Sequence, residues 1–418
     1  MKKPTILMMS DSPLIHTGQA VVLRETSLRL HATGKYNIVL AGWGYNGYPH
    51  NLPFTLLPAS PQDFGREGFP QAGIPGLEQM IDSVKPDILW TNADIWMVDY
   101  ISRLKNRNSF KWIAHTPIDG DPIPDEWLPW FRNVDQLVME TKYGQDEVNK
   151  KDPNINPDYV YMGVNAHDYF PMLAPVKANI KKTIPWGAIT DKGLEIRNGV
   201  PDDTFIVGSF ARNQPRKNWD KVLKAFKIFA KDKPNVRLWP HAAPVDQGYN
   251  LVQLAKLLGI ADKMMFTPNY NILNGLGPRD LNAVMNMWDV HIMATQGEGF
   301  GIPILETMSC GVPQIVPDFS SHVEFAKEGG LLIPIDREDD TITGMPHPVE
   351  RAIPRPTLMA GLLDKIYSDS ELRSDLSKKA RIKAASMTWG ATVDPWQNII
   401  DKVLARGSKA EKLDFIKI

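Results

Sequence analysis

Apolar positions in this chain fall into short continuous runs, separated by longer stretches in which they recur every three or four residues. The first run, residues 6–9, is closed by Ser10 and Asp11, the pattern of a strand buried on both faces. Gly18 follows in what reads as a loop. Residues 20–30 carry apolar positions at helical spacing, Gly34 ends the helix, and 36–41 return to strand composition. Further strands are predicted at 88–91, 112–114, 136–139 and 159–162. This alternation describes a doubly wound α/β domain over residues 1–170.

The rhythm breaks over 171–200, where Pro171, Pro175 and Pro185 lie among lysines and Gly187, Gly193 and Gly199 follow. That composition reads as a linker with an added excursion. Strands are then predicted at 205–209, 236–239, 264–267, 290–294 and 313–317, with helices at 219–230, 252–258, 281–287 and 303–310. Residues 201–390 therefore form a second Rossmann-like domain. The acidic, proline-bearing stretch 336–356 reads as an exposed loop, 362–385 as one amphipathic helix and 395–404 as a last helix.

Composition narrows the function classes. With 47 basic and 48 acidic side chains the formal net charge is -1, which gives no support to a nucleic-acid binder. One cysteine, Cys310, excludes an internal disulfide framework and a cysteine-rich zinc site. The N-terminal apolar run is shorter than the ~7 residues of a signal core, and no run approaches the ~20 that span a bilayer. A soluble cytoplasmic protein is the expectation, with peripheral contact at a membrane surface left open. His16, His31 and His50 lack zinc-ligand spacing, and Asp119-Gly120-Asp121 reads as an acidic loop rather than a metal site. Trp43, Trp90, Trp96, Trp127 and Trp130 read mostly as packing residues.

Two segments carry candidate chemistry. In Gly297-Glu298-Gly299-Phe300-Gly301-Ile302-Pro303-Ile304-Leu305-Glu306 a predicted strand gives way to a predicted helix. The glycines let backbone approach a ligand, Pro303 suits a first helical turn, and a helix N-terminus offers amides and a positive dipole to a diphosphate. Glu298 could face a sugar and Glu306 a ribose; on spacing alone the segment reads equally as a glycine-rich turn with two solvated glutamates. In Gly208-Ser209-Phe210-Ala211-Arg212-Asn213-Gln214-Pro215-Arg216-Lys217-Asn218, Arg212 and Lys217 could converge on one anion. The alternative there is a basic surface loop.

Together, in this order, the segments resemble retaining glycosyltransferases of family 4, also called glycosyl transferases group 1. Glu298 and Glu306 match the family's glutamate pair, and Arg212 and Lys217 its Arg and Lys. Gly311-Val312-Pro313-Gln314-Ile315-Val316 and the later Glu324 match the stretch that follows. Gly163-Val164-Asn165 matches its Gly-Val-Asp turn with Asn for Asp. The resemblance implies a GT-B fold, in which two Rossmann-like domains face a central cleft and a C-terminal helix, here within 391–418, completes the first domain. It implies transfer of a sugar from a nucleotide-diphosphate sugar to an acceptor hydroxyl with retention and no cofactor or metal. The diphosphate would meet Arg212, Lys217 and the amides of Gly299, Phe300, Gly301 and Ile302, with Glu306 on the ribose and Gly18 near the phosphates and acceptor. Base contacts would come from 267–271. The family's His-Asp pair appears as His115-Thr116, so His115 lines the sugar pocket by resemblance and is a loop histidine by its residues alone.

The rival readings are a nucleotide-sugar epimerase of the same fold and a catalytically silent nucleotide-sugar or glycan binder. A Rossmann dehydrogenase is disfavoured, because no Gly-Xaa-Gly-Xaa-Xaa-Gly follows the first strand.

Overall fold

The computed structural model describes residues 3–59, 74–270, 275–344 and 347–406. The chain divides into two compact units. Unit 1 comprises the described residues of Met1–Ile118, Pro122–Met162 and Trp389–Ile418; unit 2 comprises those of Asp119–Asp121 and Gly163–Thr388. No helix among the described residues is long and apolar enough to cross a membrane.

Unit 1 is built on a seven-stranded sheet of β1 (Thr5–Asp11), β2 (Asn37–Trp43), β3 (Thr55–Ala59), β4 (Ile88–Asn92), β5 (Lys111–Thr116), β6 (Gln136–Met139) and β7 (Asp158–Tyr159). Their order is β3-β2-β1-β4-β5-β6-β7, with every neighbouring pair parallel. Strands β1 and β4 are buried almost throughout, as their unbroken apolar runs require. Gly18 does not lie in a loop; it is the first residue of helix Gly18–Ala32. Thr17 caps that helix by accepting from the Ala20 amide at 3.1 Å, so the helix begins earlier than its apolar periodicity does. The strand expected at 159–162 pairs only over Asp158–Tyr159. Helix Val393–Ala405 packs on this unit, with buried Trp396 edge-on to Trp90 at 5.5 Å and to His115 at 5.0 Å.

Segment 171–200 is not a linker. It holds helix Ala174–Lys181 and an antiparallel hairpin of β8 (Pro185–Thr190) and β9 (Gly193–Asn198). Gly187 exchanges two backbone hydrogen bonds with Phe266, at 2.7 and 2.9 Å, which ties the hairpin to unit 2. Pro185 opens β8, Gly193 opens β9 and Gly199 follows it, so these residues bound small elements rather than an unstructured tether.

The sheet of unit 2 contains β10 (Phe205–Phe210), β11 (Val236–His241), β12 (Val290–Ile292), β13 (Gln314–Pro317) and β14 (Gly330–Ile333). They run in the order β11-β10-β12-β13-β14, again all parallel. The strand expected at 264–267 makes only isolated bridges, Leu238 to Met264 and Gly187 to Phe266. Stretch 336–356 is largely exposed or half-buried, as expected, but it is not a plain loop: β15 (Thr341–Thr343) pairs with β16 (Glu350–Ala352). Buried Asp340 there pairs with Arg355 at 2.5 Å. Residues 345 and 346 lie outside the described residues. The single helix expected over 362–385 is two, Pro356–Ser368 and Ser370–Ser386, because the Asp369 carboxylate accepts from the Leu372 amide at 2.8 Å and starts a new helix.

Candidate functional site

The strand order of unit 2 reverses between β10 and β12, and in doubly wound sheets ligands bind outside the carboxyl ends of the strands at such a point. Because the strands are parallel, the loops leaving β10, β11, β12 and β13 all emerge on that edge. They carry Arg212 and Lys217, Asp246, Glu298, and Ser320 to His322 in turn.

In the loop after β10, Pro215–Lys217 forms a tight turn that Asn218 closes in the left-handed region, at φ 48°. The Asn218 side-chain amide donates to the carbonyl of Ala294 at 2.9 Å, fastening this loop to the one after β12. The turn buries Lys217 and sets its ammonium directly on the Glu298 carboxylate. Arg216 approaches the other Glu298 oxygen at 3.7 Å and donates to the Gly297 carbonyl at 3.1 Å.

Glu298 is held from beneath by the loop after β13. Its amide donates to Ser320 Oγ at 3.0 Å, and the Ser321 hydroxyl donates to the carbonyls of Glu298 and, at 2.7 Å, Gly299. Gly301, at φ 99°, then turns the chain into helix Ile302–Ser309, a conformation that only glycine adopts readily. Pro303 sits in the first turn of that helix. Phe300 is buried and stacked on Phe325 at 4.9 Å, and Ile302 is buried as well, so both offer a ligand their backbone only. Glu306, one turn further on, is also buried, so neither glutamate of the pair is a solvated surface residue. Glu324 lies half-buried in the short helix Val323–Ala326.

Charge in this cluster follows from burial and neighbours. Burial and the adjacent Arg216 charge lower the Lys217 ammonium to about 8, with Glu298 only partly offsetting them. Burial alone would raise the Glu298 carboxyl, but Lys217 and Arg216 outweigh it and keep the group below its ordinary value. Burial also lowers His322 to about 4, and its Nε2 lies 3.0 Å from the Pro317 carbonyl, so a neutral imidazole stands under the ion pair.

Arg212 lies on the same loop as Lys217 but turns elsewhere. Its Nε meets Asp246 Oδ2 at 2.8 Å, and it is Arg216 that stands at the second Glu298 oxygen. Near Asp246, Tyr270 packs on buried His241 with ring centroids 4.2 Å apart, and Thr267 Oγ1 lies 3.0 Å from His241 Nδ1. Asn271, at the end of the stretch expected to meet a base, lies outside the described residues. Gly18 and His115 belong to unit 1. Rather than lying in a loop, His115 is buried in β5 between Trp90 and Trp396, and burial lowers it to about 3.

Sequence reasoning passed over Arg216, Asp246, Ser320, Ser321 and His322. Arg216 was adjacent to Lys217 and could have been included. Asp246 carries no local signal, because its partner is 34 residues away and only the strand order brings the two loops together.

Residues 194–345 match the family model described as glycosyl transferases group 1. The D-inositol 3-phosphate glycosyltransferase of Saccharomonospora viridis is 28% identical over 223 residues, covering 51% of this chain and 47% of that protein. The chain thus spans about half the length of the curated relatives it matches. Among solved structures, sucrose-phosphate synthase from Thermosynechococcus elongatus aligns with a TM-score of 0.72 at 14% identity, covering 96% of this chain and 100% of that one. HepE from Anabaena, solved in complex with UDP and glucose, gives 0.66 at 13% identity, with the same coverages. The matched segment therefore lies in a chain that shares the GT-B fold of these structures.

Proposed function

We propose that the protein transfers a sugar from a nucleotide-diphosphate sugar to an acceptor hydroxyl, with retention of anomeric configuration and without a metal. The observation that carries this reading is the convergence of Lys217 and Arg216 on buried Glu298, beside the amides that open helix Ile302–Ser309, at the switch point of unit 2. As the bond from the anomeric carbon to the β-phosphate oxygen breaks, the diphosphate gains negative charge. Lys217, Arg212 and the amides of Gly299 to Ile302 stabilise that charge and take the place a metal ion would otherwise fill. The acceptor oxygen bonds to the same face of the anomeric carbon, and its proton passes to the departing phosphate oxygen. Glu298 holds the transferred sugar, Glu306 the ribose, and Glu324 supports the donor from the short helix Val323–Ala326. A uridine donor is favoured by the Anabaena neighbour that holds UDP and glucose, and the acceptor is a hydroxyl compound such as a glycan, lipid-linked sugar, protein or metabolite.

The test is incubation with UDP-, GDP-, ADP- and dTDP-glucose across a panel of hydroxyl acceptors, with and without EDTA. Nucleoside diphosphate release is followed, together with the anomeric proton coupling of the product. The expected product is the α-glucoside, formed equally with EDTA. A β-linked product removes retention, loss of turnover in EDTA removes metal independence, and conversion of donor alone to an epimer replaces transfer.

A further inference from the structure

The carboxyl edge of unit 2 holds a second ion pair. Arg212 Nε lies 2.8 Å from Asp246 Oδ2 and Nη2 lies 3.4 Å from Oδ1, so the carboxylate takes one side edge of the guanidinium. The Arg212 side chain keeps 36% of its surface accessible, which leaves the remaining edge for a ligand. Asp246 is itself held in place. Asn213, the neighbour of Arg212, is fully buried, and its side-chain amide donates to the carbonyls of Ala243 at 3.1 Å and Tyr249 at 2.7 Å. Asn213 Oδ1 accepts from the Tyr249 amide at 3.1 Å, and its carbonyl accepts from Gly248 at 2.8 Å. One asparagine thus fastens both sides of the 243–249 loop to the chain that bears Arg212. The approach is so close that a Cβ on Gly248 would lie 2.4 Å from Asn213 Oδ1.

We infer that Asp246 is a positioning residue for the transfer reaction: with Asn213 as its anchor, it fixes the Arg212 guanidinium in the orientation that receives the departing diphosphate. The inference rests on the proposed function. An exposed arginine has many rotamers, and a bidentate carboxylate on one edge selects among them before the donor arrives. A preorganised cation stabilises developing charge without reorganising during the reaction. The same carboxylate opposes the diphosphate in the ground state. Removing Asp246 is therefore expected to lower kcat without raising the KM for donor, a division that general loss of structure does not produce.

The experiment is a double-mutant cycle on the full chain with Asp246→Asn and Arg212→Ala. Turnover is read as nucleoside diphosphate released from whichever of UDP-, GDP-, ADP- or dTDP-glucose gives the fastest release, with the melting temperature of each variant recorded. Misplacement by about 1 Å can cost up to about 100-fold, so Asp246→Asn is expected to lower kcat by at least about 10-fold at unchanged or lower donor KM. In the Arg212→Ala background the same change is expected to alter kcat by less than about 2-fold, because the group it orients is gone. Gly248→Ala, which displaces the loop while keeping both charges, is expected to reproduce the kcat loss. A kcat loss that persists undiminished in Arg212→Ala overturns the inference in favour of a purely structural role, and a kcat gain in Asp246→Asn overturns it in favour of a brake. Normal turnover in Arg212→Ala, or no release from any donor, refutes the parent reading instead.

Discussion

The buried Lys217–Glu298 pair makes activity depend on pH in a way that neighbouring residues should move in opposite directions. Lys217, lowered to about 8 by burial and by Arg216, is charged below that pH and neutral above it. If its charge is what meets the diphosphate, kcat/KM should fall about tenfold per pH unit on the alkaline side of about 8. Replacing Glu298 by Gln removes the carboxylate that favours the charged form. An opposite charge in contact is worth about 1 to 3 pH units, so the limb should move to roughly 5 to 7. At pH 7.5 about three quarters of the wild-type lysines are charged, against a few per cent if the limb falls to about 6. Protonation alone then costs Glu298→Gln about 20-fold, in addition to any loss of sugar contact. That part of the deficit should return on acidification. Arg216→Met removes a like charge, so its limb should move above the wild-type position. The assay is nucleoside diphosphate release at subsaturating donor between pH 5.5 and 10, with melting temperatures at each pH. Profiles of the three proteins that run parallel, or both substitutions moving the limb the same way, would refute the reasoning.

Other substitutions test single contacts. Lys217→Ala should lower turnover at least ~100-fold while leaving a folded protein by circular dichroism. Gly301→Ala forces a side chain into φ 99° and sets its Cβ 3.0 Å from Ile304 Cδ1, so it should cost about 1–3 kcal/mol by urea denaturation and reduce donor affinity. Trp396→Ala empties a buried site against Trp90 and His115 and should destabilise unit 1 by about 3–5 kcal/mol, read from near-ultraviolet circular dichroism in urea. Asp369→Ala removes the cap that divides two helices and should cost about 1 kcal/mol.

How much could be read from sequence follows from how local each signal is. Buried parallel strands such as β1 and β10 announce themselves as unbroken apolar runs, and the loops after β10 and β12 were located to within a residue or two. Elements lacking such runs were missed. β8 and β9 are half-exposed, begin at Pro185 and Gly193 and stop before Gly199, so their composition imitates a linker. Helices Pro356–Ser368 and Ser370–Ser386 read as one, because a capping aspartate looks like any exposed acid within an amphipathic stretch. At the site, residue types and spacing named Glu298 and Lys217, which the structure joins. Spacing could not say which arginine reaches Glu298: the turn at Pro215 and the left-handed Asn218 favour Arg216 and leave Arg212 to Asp246.

The most direct measurement is calorimetric titration of the full chain and of Lys217→Ala with UDP, GDP, ADP and dTDP. The expected result is saturable binding of one diphosphate by the unsubstituted chain, weakened at least about tenfold in the variant, with the matching nucleoside monophosphate binding far less well. Equal affinity of both proteins for that diphosphate would contradict the assignment of this charge cluster to the donor.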